Sequence, residues 1–134
     1  MSSGFESEKR EFVRVKVAIP VRYKFLSRDV EFATGIDEIY EGSTANLSGG
    51  GILLKARIPD VAWLAPLLTE RIVIGVNILL PRDEVPVKAL TRVAWIEAIE
   101  EDTQKCQLGL RFKEIGQDDL DRILQYIIRC QMPG

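Results

Sequence analysis

Two stretches of this 134-residue chain carry residue types whose spacing can do chemistry. In "KREFVRV" (9–15), Arg10 and Arg14 stand four residues apart. A guanidinium offers a planar fork of donors that matches phosphate and the O6/N7 edge of guanine, and its face stacks on a base. The same pair would serve equally as a solvated, charged terminus. In "ANLSGGGILL" (45–54), Asn46 and Ser48 lead into Gly49, Gly50 and Gly51. Each glycine costs a strand about 0.5–1 kcal/mol relative to Ala. A tight turn, with Asn46 or Ser48 bonding its own backbone, needs fewer than three. Either such a turn or a bare backbone surface for a flat or charged ligand accounts for the run. No Gly-Lys-Ser/Thr follows it, so it is not a Walker loop.

The rest of the composition closes other routes. The chain has no histidine. That removes the usual general base, the Ser–His and Cys–His nucleophile systems and the commonest zinc ligand. Ser48 therefore has no base to activate it, no catalytic or metal site stands out, and the expectation is a non-enzyme. Cys106 and Cys130 lie far apart without metal-ligand spacing and read as free buried thiols. The net charge of −2 hides an asymmetry: residues 1–28 hold seven basic and three acidic side chains, leaving the remainder at −6. A basic arm on an acidic body suits a local anionic ligand better than nucleic acid, which calls for a chain basic overall. No apolar run is long enough to span a membrane and the N-terminus has no secretory pattern, so membrane insertion is not expected and the cytoplasm is.

These residues need elements to position them. From Val13 to Phe25 the odd positions are apolar or aromatic and the even ones mainly basic, which predicts a half-buried strand with Pro20 at a bend or unpaired edge. Further strands are predicted over 39–48, 51–56, 71–81, 85–100 and 104–112, with a short helical excursion at 59–70. At the C-terminus, Leu120, Ile123, Leu124, Ile127 and Ile128 recur at helical spacing behind Asp118, Asp119 and Asp121, whose charges suit the first turn of a helix. The helix either caps an open end of the sheet or binds a partner. The fold class expected is all-β: a six-stranded antiparallel β-barrel with an amphipathic C-terminal α-helix, in one domain.

Taken together, Arg-x-x-x-Arg and Asp/Asn-x-Ser-x-x-Gly resemble the pattern of PilZ domains, bacterial receptors for the second messenger cyclic di-GMP. Here it reads Arg10-Glu-Phe-Val-Arg14 and Asn46-Leu-Ser48-Gly-Gly-Gly51. The resemblance runs on through "LTRVAWIE" and "LGLRF" into the C-terminal helix, and the family fold is the six-stranded barrel just described. Two departures stand out. The stretch between Arg14 and Asn46 is longer than the pattern, with "SRDVEFATGID" (27–37) the extra length, and Lys9 stands where the family often has another Arg.

The resemblance implies that Arg10 and Arg14 grip phosphate and guanine edges, that the Asn46 oxygen accepts from guanine, and that Ser48 contacts the ligand or fixes the turn. Gly49, Gly50 and Gly51 become a ligand floor, and Lys9 joins the site. Trp95 either stacks on a guanine or belongs to the core. Residues 1–12 are expected to be a mobile arm that orders around the ligand, with 13–134 the barrel and helix. The output is expected to be an unidentified protein effector controlling motility, adhesion or exopolysaccharide, read by a monomer or homodimer. The alternative is a ligand-blind adaptor of the same family.

Overall fold

The computed structural model describes residues 13–27 and 38–132. Six strands form the body of the fold: β1 (Pro20–Ser27), β2 (Tyr40–Leu47), β3 (Gly51–Arg57), β4 (Ile72–Ile78), β5 (Val87–Glu97) and β6 (Lys105–Ile115). Every neighbouring pair is antiparallel, and β1 pairs with β4 to close the barrel in the order β1-β2-β3-β6-β5-β4. Closure removes the free edges that an open sheet would leave for other chains.

Alternation decides which side chains fill the interior. Val21, Tyr23 and Phe25 of β1 point inward, as do Ile74, Val76 and Ile78 of β4, and all are buried. The predicted first strand is shorter than its pattern. It begins at Pro20, and ahead of it only Val15 makes a ladder pair, with Leu47. Val15 pairs with Leu47 while Pro20 pairs with Ser43, so the arm bulges by one residue over β2. The extra connector lies outside the described residues.

A 3-10 turn (Val61–Trp63) runs directly into α1 (Leu64–Leu68). Trp63 and Leu67 are buried there, and Phe25 meets Trp63 edge-on at 5.1 Å. Helix α2 (Gln117–Gln131) continues from the opposite end of the barrel and buries Ile123 and Ile127. Arg122 pins it, donating to the carbonyls of Val85 at 2.6 Å and Pro86 at 3.0 Å and pairing with Asp119 at 2.6 Å. No helix among the described residues is long and apolar enough to cross a membrane.

The thiols differ from expectation in one respect. Cys106 is buried on β6, and desolvation pushes its pKa up to about 11. Cys130 is exposed: it shares the stripe of Ile123 and Ile127, but it sits in the last turn of α2, where residues 128–132 are all exposed.

Candidate functional site

The site begins where the arm meets β2. Val15 and Leu47 exchange backbone hydrogen bonds at 2.9 Å in both directions. Buried Thr44 holds the next turn of chain: its hydroxyl accepts from Ile19 N–H at 2.9 Å and donates to the Val17 carbonyl, while its own N–H bonds the Ile19 carbonyl at 2.9 Å. Leu47 is fully buried and Val15 packs against the core, so both face inward. Paired residues share a face of a sheet and their neighbours take the other. Extending the register by one residue sets exposed Arg14 opposite Ser48 and exposed Lys16 opposite partly exposed Asn46, while Ser48 itself is buried in the turn it caps.

Register carries the same face across three more strands. Leu47, Ile52, Leu110 and Val93 form an inward row. One outward row beside it runs Asn46, Leu53, Gly109, Trp95, and the other runs Gly51, Arg111, Arg92 next to Ser48. Bulges at Ala45 and Ala94 keep Asn46 and Trp95 on the outer face. Trp95 is 38% exposed. Its indole lies over Gly109, where a Cβ would sit 2.2 Å from the ring. Trp95 is therefore an outward residue and not part of the core.

The turn between β2 and β3 has an internal logic. Ser48 N–H bonds the Gly51 carbonyl at 2.9 Å, its hydroxyl donates to that carbonyl at 3.2 Å, and it accepts from Gly50 N–H at 3.2 Å. The Gly50 carbonyl accepts from Phe112 N–H at 2.9 Å. At Gly51 a Cβ would stand 1.9 Å from the Leu110 carbonyl oxygen, so only glycine lets β3 approach β6 this closely. Gly49 and Gly51 are buried and Gly50 is partly so.

The structure thus brings Arg14, Asn46, Ser48, Gly49, Gly50, Gly51 and Trp95 to one wall of the barrel, at the end from which α2 departs. Lys9 and Arg10 lie outside the described residues. Sequence reasoning missed Lys16, Arg92 and Arg111. Alternation already turned Arg111 outward in "LGLRF", but only the β3–β6–β5 register sets it beside Gly51. Among the described residues, Arg14, Lys16, Arg92 and Arg111 have no ion-pair partner. Arg92 and Arg111 are direct cross-strand partners, and like charges so placed destabilise a sheet. An anionic ligand would relieve that repulsion. The Asn46 amide is likewise unbonded among the described residues and half-exposed. Cations, an amide and an outward indole on one wall suit a ligand that is anionic and presents flat rings with hydrogen-bonding edges. No group of three His, Cys, Asp or Glu among the described residues is placed to hold a metal ion.

The class defined is a closed antiparallel barrel with a basic outer wall, against which the chain ahead of β1 is held. The profile of the PilZ domain matches residues 8–129, and the chain belongs to that family. The inhibitor of motility of Bacillus subtilis (MotI/DgrA) superposes with a TM-score of 0.65 at 22% identity, over 92% of this chain and 51% of that one. This chain therefore spans about half the length of that relative. The PilZ domain of YcgR from Escherichia coli, solved with c-di-GMP, superposes with a TM-score of 0.57 at 12% identity, over 91% and 90% of the two chains. The PilZ domain of CeSA from a cellulose-synthesizing bacterium does so with a TM-score of 0.55 at 16% identity, over 90% and 99%. At these identities the likeness shows the fold. No curated protein sequence matches this chain.

Proposed function

We propose that this chain is a cytoplasmic receptor for cyclic di-GMP that signals by binding, with no bond made or broken. The observation that carries the reading is the Val15–Leu47 pair, which delivers Arg14 to the wall holding Asn46 and Ser48. Family membership supports the ligand class, and the YcgR domain was solved with c-di-GMP. Arg10 and Arg14 take phosphate and guanine edges, assisted by Lys9, and Arg111 and Arg92 extend the cationic wall. The Asn46 oxygen accepts from guanine N–H, and Trp95 stacks on a base. The residues up to about 12 order around the ligand, and the surface so made is read by a protein effector, in the service of motility, adhesion or exopolysaccharide.

A second reading, a ligand-blind adaptor, is favoured by the turn itself. Gly51 and Ser48 each have a reason inside the fold, so half of the motif would persist without a ligand. Titration calorimetry with cyclic di-GMP, beside Arg14→Ala and a GTP control, separates the two. Saturable heat with the dinucleotide alone, lost in the variant, is the result expected of a receptor. A flat trace from folded protein refutes the receptor and leaves the adaptor.

A further inference from the structure

The described strand glycines divide in two. At Gly42, Gly51 and Gly109 an added Cβ would collide with backbone or ring atoms at 2.4, 1.9 and 2.2 Å. Gly75, in the middle of β4, has no such reason. A Cβ there would meet Leu26 at 3.4 Å and Lys24 at 4.0 Å, which is ordinary contact, and its backbone is not left-handed. The ladder runs through Gly75 without a shift on either side, so it marks no bulge. A mid-strand glycine weakens its strand, and where the fold does not require it, it marks close approach by something else.

Gly75 lies in the floor of a groove of about 770 Å³ on the outer wall of β1, β4 and β5. No residue of the motif wall lines it, although the two share strands β5 and β6. Across the sheet, Lys24 and Leu90 flank the missing side chain, and the next row reads Arg22, Asn77, Lys88. Leu26, Ile39 and Ile115 complete an aliphatic lining, and Ile39 is 67% exposed. Arg22 and Lys24 have no ion-pair partner among the described residues, the Lys88 charge acts on Asp119 of α2, and Glu114 is the one acid among the described residues of the lining.

We propose that this groove docks an acidic segment of a partner protein, with a large apolar side chain seated over Gly75 between flanking carboxylates. Charge complementarity selects the acids: three cations stand against one acid in the described lining, on a chain whose net charge is −2. The aliphatic lining selects the apolar anchor, and among the described residues no outward aromatic ring lines it for a nucleotide base to stack on. Because the barrel is closed, the partner reads side chains here and does not add a strand. β1, which carries Arg22 and Lys24, continues directly from the arm that carries Arg14, so the groove is joined to the motif wall by a short run of chain. The inference goes beyond the receptor reading and is tested without nucleotide.

The experiment selects heptapeptides from a random display library on the wild-type protein, with Gly75→Val protein as counter-selection. The consensus peptide, labelled with fluorescein, is then titrated by anisotropy. The expected consensus sets Asp or Glu around Leu, Ile, Phe or Met. Its affinity should fall by about tenfold or more in Gly75→Val and in Lys24→Glu, while Gly75→Val melts no lower than wild type. The proposal is overturned by a basic or wholly polar consensus, by no peptide that separates the two proteins, or by affinity indifferent to either substitution. It is equally overturned if Gly75→Val melts below wild type, since β4 would then need its glycine for its own sake. Calorimetry of Gly75→Val with cyclic di-GMP reads the receptor separately, so the two readings fail independently.

Discussion

Replacing Gly51 by alanine puts a methyl group 1.9 Å from the Leu110 carbonyl oxygen and 2.9 Å from its carbon. Ordinary contact begins near 3.4 Å, so β3 and β6 must separate by roughly 1.5 Å at this point. That movement falls on the Gly51–Arg111 pair and on the 2.9 Å bond from Phe112 N–H to the Gly50 carbonyl. Overpacking of this kind costs about 1–3 kcal/mol, and a weakened backbone hydrogen bond adds about 1 kcal/mol. The smaller freedom of alanine in the unfolded chain returns about 0.4–1 kcal/mol. The net expectation is a loss of about 2 kcal/mol, or a fall in Tm of about 8 °C for a domain of this size. Gly75→Ala is the matched control. Its methyl meets only Leu26 and Lys24 at contact distance, so it should hold or raise stability by up to about 1 kcal/mol. Urea unfolding and calorimetric melting of both variants measure the contrast. If Gly51→Ala melts with the wild type, or Gly75→Ala falls as far, the close-approach argument is wrong. The result also bears on ligand binding, because affinity lost in a Gly51 variant must be scored on its folded fraction.

Arg111→Ala should weaken cyclic di-GMP binding by about 10–100-fold, the worth of one charge-assisted bond. Its melting temperature should not fall, since the repulsion with Arg92 is relieved; calorimetry and a thermal melt read both. Thr44→Val keeps the shape but leaves Ile19 N–H unpaired in a buried site, so stability should drop by about 1–3 kcal/mol. Faster amide exchange over residues 15–19 would localise the effect to the arm. Arg122 holds the Asp119 carboxyl below its ordinary pKa by a direct hydrogen bond, with Lys88 N–H adding to it. A carboxyl lowered by folding stabilises the protein above its unfolded value, near 4, and loses that contribution as pH falls through the folded one. The urea midpoint should therefore drop below about pH 4, and Arg122→Ala should flatten that limb. A thiol reagent should label Cys130 at once in native protein and reach Cys106 only on unfolding, because Cys106 is buried and its pKa is raised to about 11.

On the proposed receptor reading, a short arm suffices to complete the site. One ladder pair and the hydrogen bonds of one threonine fix the chain from Val15 to Ile19. Each such bond contributes about 1 kcal/mol net. This is enough to set the direction in which Arg14 leaves the Val15–Leu47 pair, and weak enough that the proposed ligand would shift the arm's population.

Local pattern alone settled a good deal about this protein. Six strands and a C-terminal helix were legible as stretches, and period-two alternation named the inward residues of the first, although its ladder begins only at Pro20. The order Arg14, then Asn46 and Ser48, was legible because the motif is written in residue types. Arg111, Arg92 and Lys16 were not, since nothing in their spacing sets them near Gly51; that contact exists only through strands far apart in sequence. Alternation likewise left Trp95 undecided, and the bulge at Ala94 turned it outward. The purpose of three consecutive glycines was open for the same reason: the clash that makes Gly51 necessary belongs to the Leu110 carbonyl, more than fifty residues away. Side-chain chemistry and periodicity are local properties, and a chain displays them as it is written. Which residues share a wall depends on register and closure, and these are fixed only when the whole barrel forms.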